Sequence, residues 1–249
     1  SVRGALVGLN GAPLDSVQID IDGVMYEEGT NVPPGVAWGD GKFLVVWADD
    51  EAMKYALVAP DGSVTTRAVL QDKVWRGWPE AAAFDGTNFL VSWIGGNDSL
   101  GSGTLFCRVS PDGTVLDHPP RFVAPHAVGE EGEVALCYHE DRYLAVWNEG
   151  DPSGIIGVSA NFIFPDGSIR DSAGFSIRHG FGAGDPAVTH DQDHFLVAWN
   201  EWLDPALIKL ARVTDSGVVL DTSGVLVDSF GYGPALVSNG ETTLVAFAR

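Results

Sequence analysis

Basic side chains are scarce in this chain: 249 residues carry 14 Lys and Arg against 34 Asp and Glu, for a formal net charge of −20. A phosphate-binding surface needs clustered Lys and Arg, so nucleic acid is excluded as a partner, and an anionic membrane surface with it. The acidity suits cation binding, or solubility in a salty or extracellular setting, and a secreted protein is the expectation. Cysteine is nearly absent, with only Cys107 and Cys137. Two cysteines do not make a disulfide scaffold. Both fall on strand-like runs of neighbouring repeats, where buried free thiols are expected; spacing alone does not dictate a bridge. No apolar run approaches the roughly 20 residues that span a bilayer, and no signal peptide is legible behind Ser1. Gly-x-Ser-x-Gly is missing, so no nucleophile elbow is expected. Asp20-Ile21-Asp22-Gly23 lacks the third acidic position and the downstream Glu of a calcium loop. The glycine-rich run Gly180 to Gly184 does not join a strand to a helix, which argues against a phosphate cradle.

What the chain has is a recurring pentapeptide. Phe43-Leu44-Val45-Val46-Trp47 returns as Phe89 to Trp93, Tyr143 to Trp147, Phe195 to Trp199 and, worn, Thr243 to Phe247. The copies end at residues 47, 93, 147, 199 and 247, a period of 46 to 54 residues that marks a repeat architecture. With 31 Gly, 14 Pro and 45% hydrophobic residues, the chain has many turns and enough apolar material for a large core. Each unit opens on a small-residue run such as Glu80 to Phe84 or Pro186 to Thr189, followed by a polar hairpin turn. The pentapeptide comes second. It is apolar on both faces, which a strand tolerates only between two neighbouring sheets. A third run ends at a second signature, Pro60-Asp61-Gly62, Pro111-Asp112-Gly113, Pro165-Asp166-Gly167 or Asp215-Ser216-Gly217. Proline presets φ and glycine accepts a positive φ, so these are tight turns. The fourth strand is expected at once after the turn, over Thr114 to Asp117, Ser168 to Asp171 and Val218 to Asp221.

The termini are complementary. Ala5 to Asp15 reads as a third strand, turn and start of a fourth, whereas the C-terminus supplies a first and second strand and stops. Joined, they make a fifth sheet, the ring-closure device of propellers. The expectation is therefore an all-β, five-bladed β-propeller in one domain, four antiparallel strands per blade. The blades are read as 33–78, 79–132, 133–184, 185–233, and 234–249 joined with 1–32. The "FLVVW" strand and "PDG(T/S)VLD" turn resemble the propeller repeats of bacterial and myxobacterial secreted proteins over nearly the whole chain. That resemblance implies the fold and says little about activity.

Ligand sites in propellers usually lie at the channel mouth, on the face shared by the loops after the second strands and those between blades; this is an analogy from fold. After the pentapeptides come Asp49, Asn97, Asn148-Glu149 and Asn200-Glu201. Such carboxylates and amides suit sugar hydroxyls, or Ca²⁺, which takes oxygen ligands. As solvated hairpin ends, Asp and Asn are also ordinary turn formers. The inter-blade loops add Trp75, Arg76, Trp78, Phe181, Phe230 and Tyr232. Their rings either wall a pocket for a sugar face or a cation, or plug the funnel as core. His126 and His179 hold equivalent loop positions and, with Glu130, Glu131 or Asp185 nearby, form a candidate transition-metal site. His118, His139, His190 and His194 are read as surface residues. The leading expectation is a monomer that binds a small polar ligand, most plausibly carbohydrate, in a central pocket. The rivals are an enzyme on the same face, with Glu149 and Glu201 as candidate acid and base or a divalent metal as cofactor, and a protein-interaction scaffold.

Overall fold

The computed structural model describes residues 2–8, 10, 12–13, 19–22, 34–48, 52–72, 75–97, 101–125, 133–150, 156–180 and 182–249, and all regular structure among them is β. Strands β1 (Val2–Gly4) and β2 (Ile19–Asp22) form a two-stranded sheet. Blade 1 comprises β3 (Gly35–Gly39), β4 (Lys42–Ala48), β5 (Ala52–Val58) and β6 (Val64–Asp72). Blade 2 comprises β7 (Trp75–Phe84), β8 (Phe89–Asn97), β9 (Gly101–Val109) and β10 (Arg121–Pro125). Blade 3 comprises β11 (Val134–His139), β12 (Arg142–Gly150), β13 (Ile156–Ile163) and β14 (Phe175–Arg178). Blade 4 comprises β15 (Ala183–His190), β16 (Phe195–Glu201), β17 (Leu207–Val213) and β18 (Val225–Asp228), and β19 (Tyr232–Ser238) pairs with β20 (Thr243–Ala248) in a last two-stranded sheet. Every sheet is antiparallel and runs in chain order.

The pentapeptides explain the radial stacking. Phe89, Val91 and Trp93 pack on blade 1 against Leu44, Val46, Tyr55 and Leu57, while Leu90 packs on blade 3 with Tyr143, Ala145 and Trp147. Leu144 and Val146 then meet Phe195, Val197 and Trp199 of blade 4. Alternate residues thus serve the preceding and the following blade, which is why both faces had to be apolar. The innermost strands pack in succession, β3 on β7, β7 on β11, β11 on β15 and β15 on β19. The arrangement is a β-propeller.

The Pro-Asp-Gly turns behave as the sequence requires. Gly62, Gly113, Gly167 and Gly217 have φ between +80° and +89°, and each donates its N–H back to the residue three positions earlier. The fourth strands lie later than expected. Residues 115, 169 and 219 make only isolated bridges, and full pairing starts at Arg121, Phe175 and Val225. Aspartates cause the interruption. Asp117 and Asp221 turn inward to hold the backbone N–H and guanidinium of Arg108 and Arg212, and Asp171 accepts from the N–H groups of Ala173 and Gly174.

The same offset identifies the N-terminal sheet. Its bridge Val7↔Pro13 precedes β2 by 19−7 = 12 residues, as Val109 precedes β10 by 121−109 = 12. β1–β2 is therefore the outer half of a blade, and β19–β20 is an inner half. Val2 and Ile21 dock the outer half on blade 1 against Val45, Trp47, Ala56 and Val58. The inner half packs on blade 4. Among the described residues no ladder joins β20 to β1, so the single fifth sheet expected from the termini is present as two halves. Apolar side chains stay exposed on the bordering strands, among them Trp38 on β3, Leu226 on β18, Val237 on β19 and Leu244 on β20.

Both cysteines are free thiols. Burial pushes Cys107 up to about 12 and Cys137 up to about 11, where neither reacts readily.

Candidate functional site

The ends where the second strands leave and the inner strands begin share one face. There the two Asn-Glu pairs behave alike in part. Asn148 accepts the backbone N–H of Glu133 at 2.5 Å and returns its own N–H to the Glu133 carbonyl at 3.3 Å. Asn200 is buried, its NH2 lying 2.5 Å from Asp185 Oδ2 and its oxygen 3.1 Å from the indole Nε1 of Trp202. Gly184 lets these groups converge, since a Cβ there would meet Trp202 Nε1 at 2.7 Å and would lie 3.7 Å from Asn148 Nδ2.

Asp185 is aimed by strain. It has φ +49° and sits where the register of β15 against β16 slips between Gly184 and Ala187. A left-handed non-glycine residue at a bulge is a device that re-aims a side chain, and such residues cluster at functional sites. The carboxyl of Glu133 hydrogen-bonds to Asp185 across the junction of blades 3 and 4. Desolvation first, then the Asp185 charge and that hydrogen bond, push Glu133 up to about 7. Glu133 thus keeps its proton well above the ordinary carboxylate range.

Beside the pair runs a row of exposed aromatics. Trp202 and Tyr232 have ring centroids 6.4 Å apart, and Phe230 meets Tyr232 edge-on at 6.0 Å. Trp202 is 58% exposed, so the row is no plug of the funnel.

The expected residues are distributed as follows. Asn148, Asn200, Phe230 and Tyr232 come together on this face. Glu201 is buried and clamped by Arg178 of blade 3 at 2.9 Å, which ties two blades together. Trp75, Arg76 and Trp78 were expected in a loop, yet they extend β7, with Trp75 paired to Gly96 and Trp78 to Ile94. Bulges there absorb the irregular Gly and Pro and let the pairing continue. The side chains of these three, of Asn97 and of Glu149 lie outside the described residues, as do Asp49, His126 and Phe181 altogether. His179 is exposed, and among the described residues no group of three or more His, Cys, Asp or Glu is placed to hold a metal. Sequence reasoning named Asp185 only as a carboxylate near His126 and His179, and it did not single out Glu133 or Trp202. Glu133 and Asp185 sit at strand starts, where only the cross-blade geometry shows that they meet.

The sequence matches no protein-family profile and no curated protein. Solved structures are similar in fold. An α-L-arabinofuranosidase from Lactobacillus brevis aligns at TM-score 0.52 and 9% identity over 86% of this chain and 82% of that one. A thermostable family-43 glycoside hydrolase aligns at TM-score 0.51 and 9% identity, with the same two coverages of 86% and 82%. Trypanosoma rangeli sialidase with the inhibitor DANA aligns at TM-score 0.59 and 11% identity over 99% of this chain but 47% of its own, so the chain spans about half of that protein. At these identities the likeness establishes the β-propeller fold.

Proposed function

We propose that the protein binds a carbohydrate on the face built by blades 3 and 4 and the strand start at Tyr232. The carrying observation is the chain of polar groups Asn148, Glu133, Asp185, Asn200 and Trp202, laid beside exposed aromatic rings. Sugars need both elements, since C–H faces stack on aromatic rings while hydroxyls take carboxylate and amide partners. The fold likeness to proteins described as an arabinofuranosidase, a family-43 glycoside hydrolase and a sialidase supports the same ligand class. A glycan panel read by quenching of tryptophan fluorescence tests the reading. One sugar class should saturate the signal in the native chain, and Trp202→Ala should abolish it. Saturation that survives Trp202→Ala would place binding elsewhere.

An enzymatic reading on the same face is favoured by Glu133, because a carboxyl titrating near 7 is suited to donate a proton at neutral pH. Glu133 and Asp185 are in hydrogen-bond contact, closer than the roughly 5–9.5 Å that separates the two carboxyls of a glycosidase. Together they would act as one acid, with the second carboxylate supplied elsewhere. Glu133→Gln should then remove any glycoside turnover while leaving sugar binding within about threefold, a difference under 1 kcal/mol.

A further inference from the structure

The inner strands β11 and β15 lie side by side and carry a titratable pair at each end. Glu133 and Asp185 occupy the upper end. At the lower end His139 closes β11 and His190 closes β15, and their imidazoles stack with centroids 3.5 Å apart and planes 7° from parallel. Phe195 presents its edge to both rings, 4.6 Å from His190 and 6.3 Å from His139. The His190 side chain is only 4% exposed, which corrects its reading as a surface residue: the neighbouring blade covers it with an equivalent histidine.

The hydrogen bonds of His190 give this stack a direction. Its Nδ1 is held by the backbone carbonyl of Asp191 and therefore carries a hydrogen. Its Nε2 lies 3.4 Å from Asp215 Oδ1, so a proton there converts two opposed acceptors into an N–H···O contact. His139 Nε2 lies 3.8 Å from Glu140 Oε1. The other charged groups around the stack are engaged or outward. Asp141 pairs with Arg142 at 2.7 Å, and Arg142 also reaches the Asp215 carbonyl at 2.6 Å. Asp191 caps the N–H groups of Asp193 and His194, Arg212 pairs with Asp221, and Asp85 of blade 2 faces Tyr138. Each ring thus has a carboxylate at its own edge, Asp215 for His190 and Glu140 for His139. A second proton puts two imidazolium faces against each other with no acceptor between them, because ring N–H groups point outward in the ring plane.

We propose that the stacked histidines form a proton-operated latch between blades 3 and 4, closed while at most one ring is charged and released when both are. The upper pair responds in the opposite sense. Glu133 hydrogen-bonds to Asp185 while it is protonated and is repelled by the Asp185 charge once it has lost its proton. Acidification parts the lower ends by charging both rings while it quiets the upper ends, so blade 3 pivots on blade 4. The latch stands whether or not the upper face binds sugar.

Hydrogen exchange of the intact chain, corrected for intrinsic rates, tests it. Between about pH 7.5 and about pH 5, amides at the lower ends of β11 and β15 should lose protection by about tenfold while those of blade 1 keep theirs. His139→Phe keeps a ring in the stack but leaves one titratable partner, so its lower ends should stay protected at the acid pH. His190→Phe should do the same, and it serves as the second variant should His139→Phe fold poorly. Native protection unchanged at acid pH, loss spread evenly over all blades, or the same loss in a folded Phe variant would each overturn the latch.

Discussion

Glu133 links residue chemistry to a measurable pH dependence. Its folded value of about 7 lies above the ordinary 4.5, so between these limits the native state binds a proton that the unfolded chain has released. Unfolding free energy then falls as pH rises from about 4.5 to about 7, since stability declines wherever the native state binds more protons. Glu133→Gln should flatten that part of the profile in urea titrations taken at successive pH values. Trp202→Ala should weaken sugar binding at least about tenfold, or about 1.4 kcal/mol, with little change in melting temperature because the ring is mostly exposed. Cys107 should resist a thiol reagent in the native protein and react on unfolding, because burial keeps it protonated at neutral pH.

At the scale of the element, the tryptophan ending each of the first four pentapeptides can be compared between blades. Trp93 and Trp199 are both fully buried. Trp93 Nε1 donates to Gln71 Oε1 at 3.2 Å, while Trp199 Nε1 has no partner among the described residues. Replacement by Phe removes similar apolar volume at both sites but strands the Gln71 oxygen at only one. Trp93→Phe should therefore cost about 1 kcal/mol more than Trp199→Phe in chemical denaturation. The pentapeptide itself was legible because its two-sided apolar pattern has one structural solution. The fourth strands were harder to place. Asp117 and Asp221 read as strand residues in "TVLD", and only the folded chain shows them turned inward onto Arg108 and Arg212.

For the whole molecule, the contact of β1–β2 with blade 1 measures what the N-terminal half-blade contributes. Ile21 is 3% exposed in that contact. Ile21→Ala should cost about 2–5 kcal/mol, the range for truncating a buried aliphatic side chain. A loss near zero would mean that the half-blade detaches in solution. Blades are stitched at their lower turns as well. Lys42, Arg108 and Arg142 each reach a turn carbonyl of the following blade, at Pro111, Pro165 and Asp215, at 2.6–2.7 Å.

The sequence by itself determined the all-β class, the repeat, the turns and the complementary termini. These follow from local periodicity and turn chemistry, which neighbouring residues carry. It also pointed to Asn148 and Asn200, because Asn-Glu directly follows both Trp147 and Trp199. Tertiary structure alone decided that Glu133 meets Asp185, that His139 stacks on His190 and that Glu201 is clamped by Arg178. Each of these pairs joins different blades, and blade-to-blade distance is set by side-chain packing between sheets, which no local pattern records.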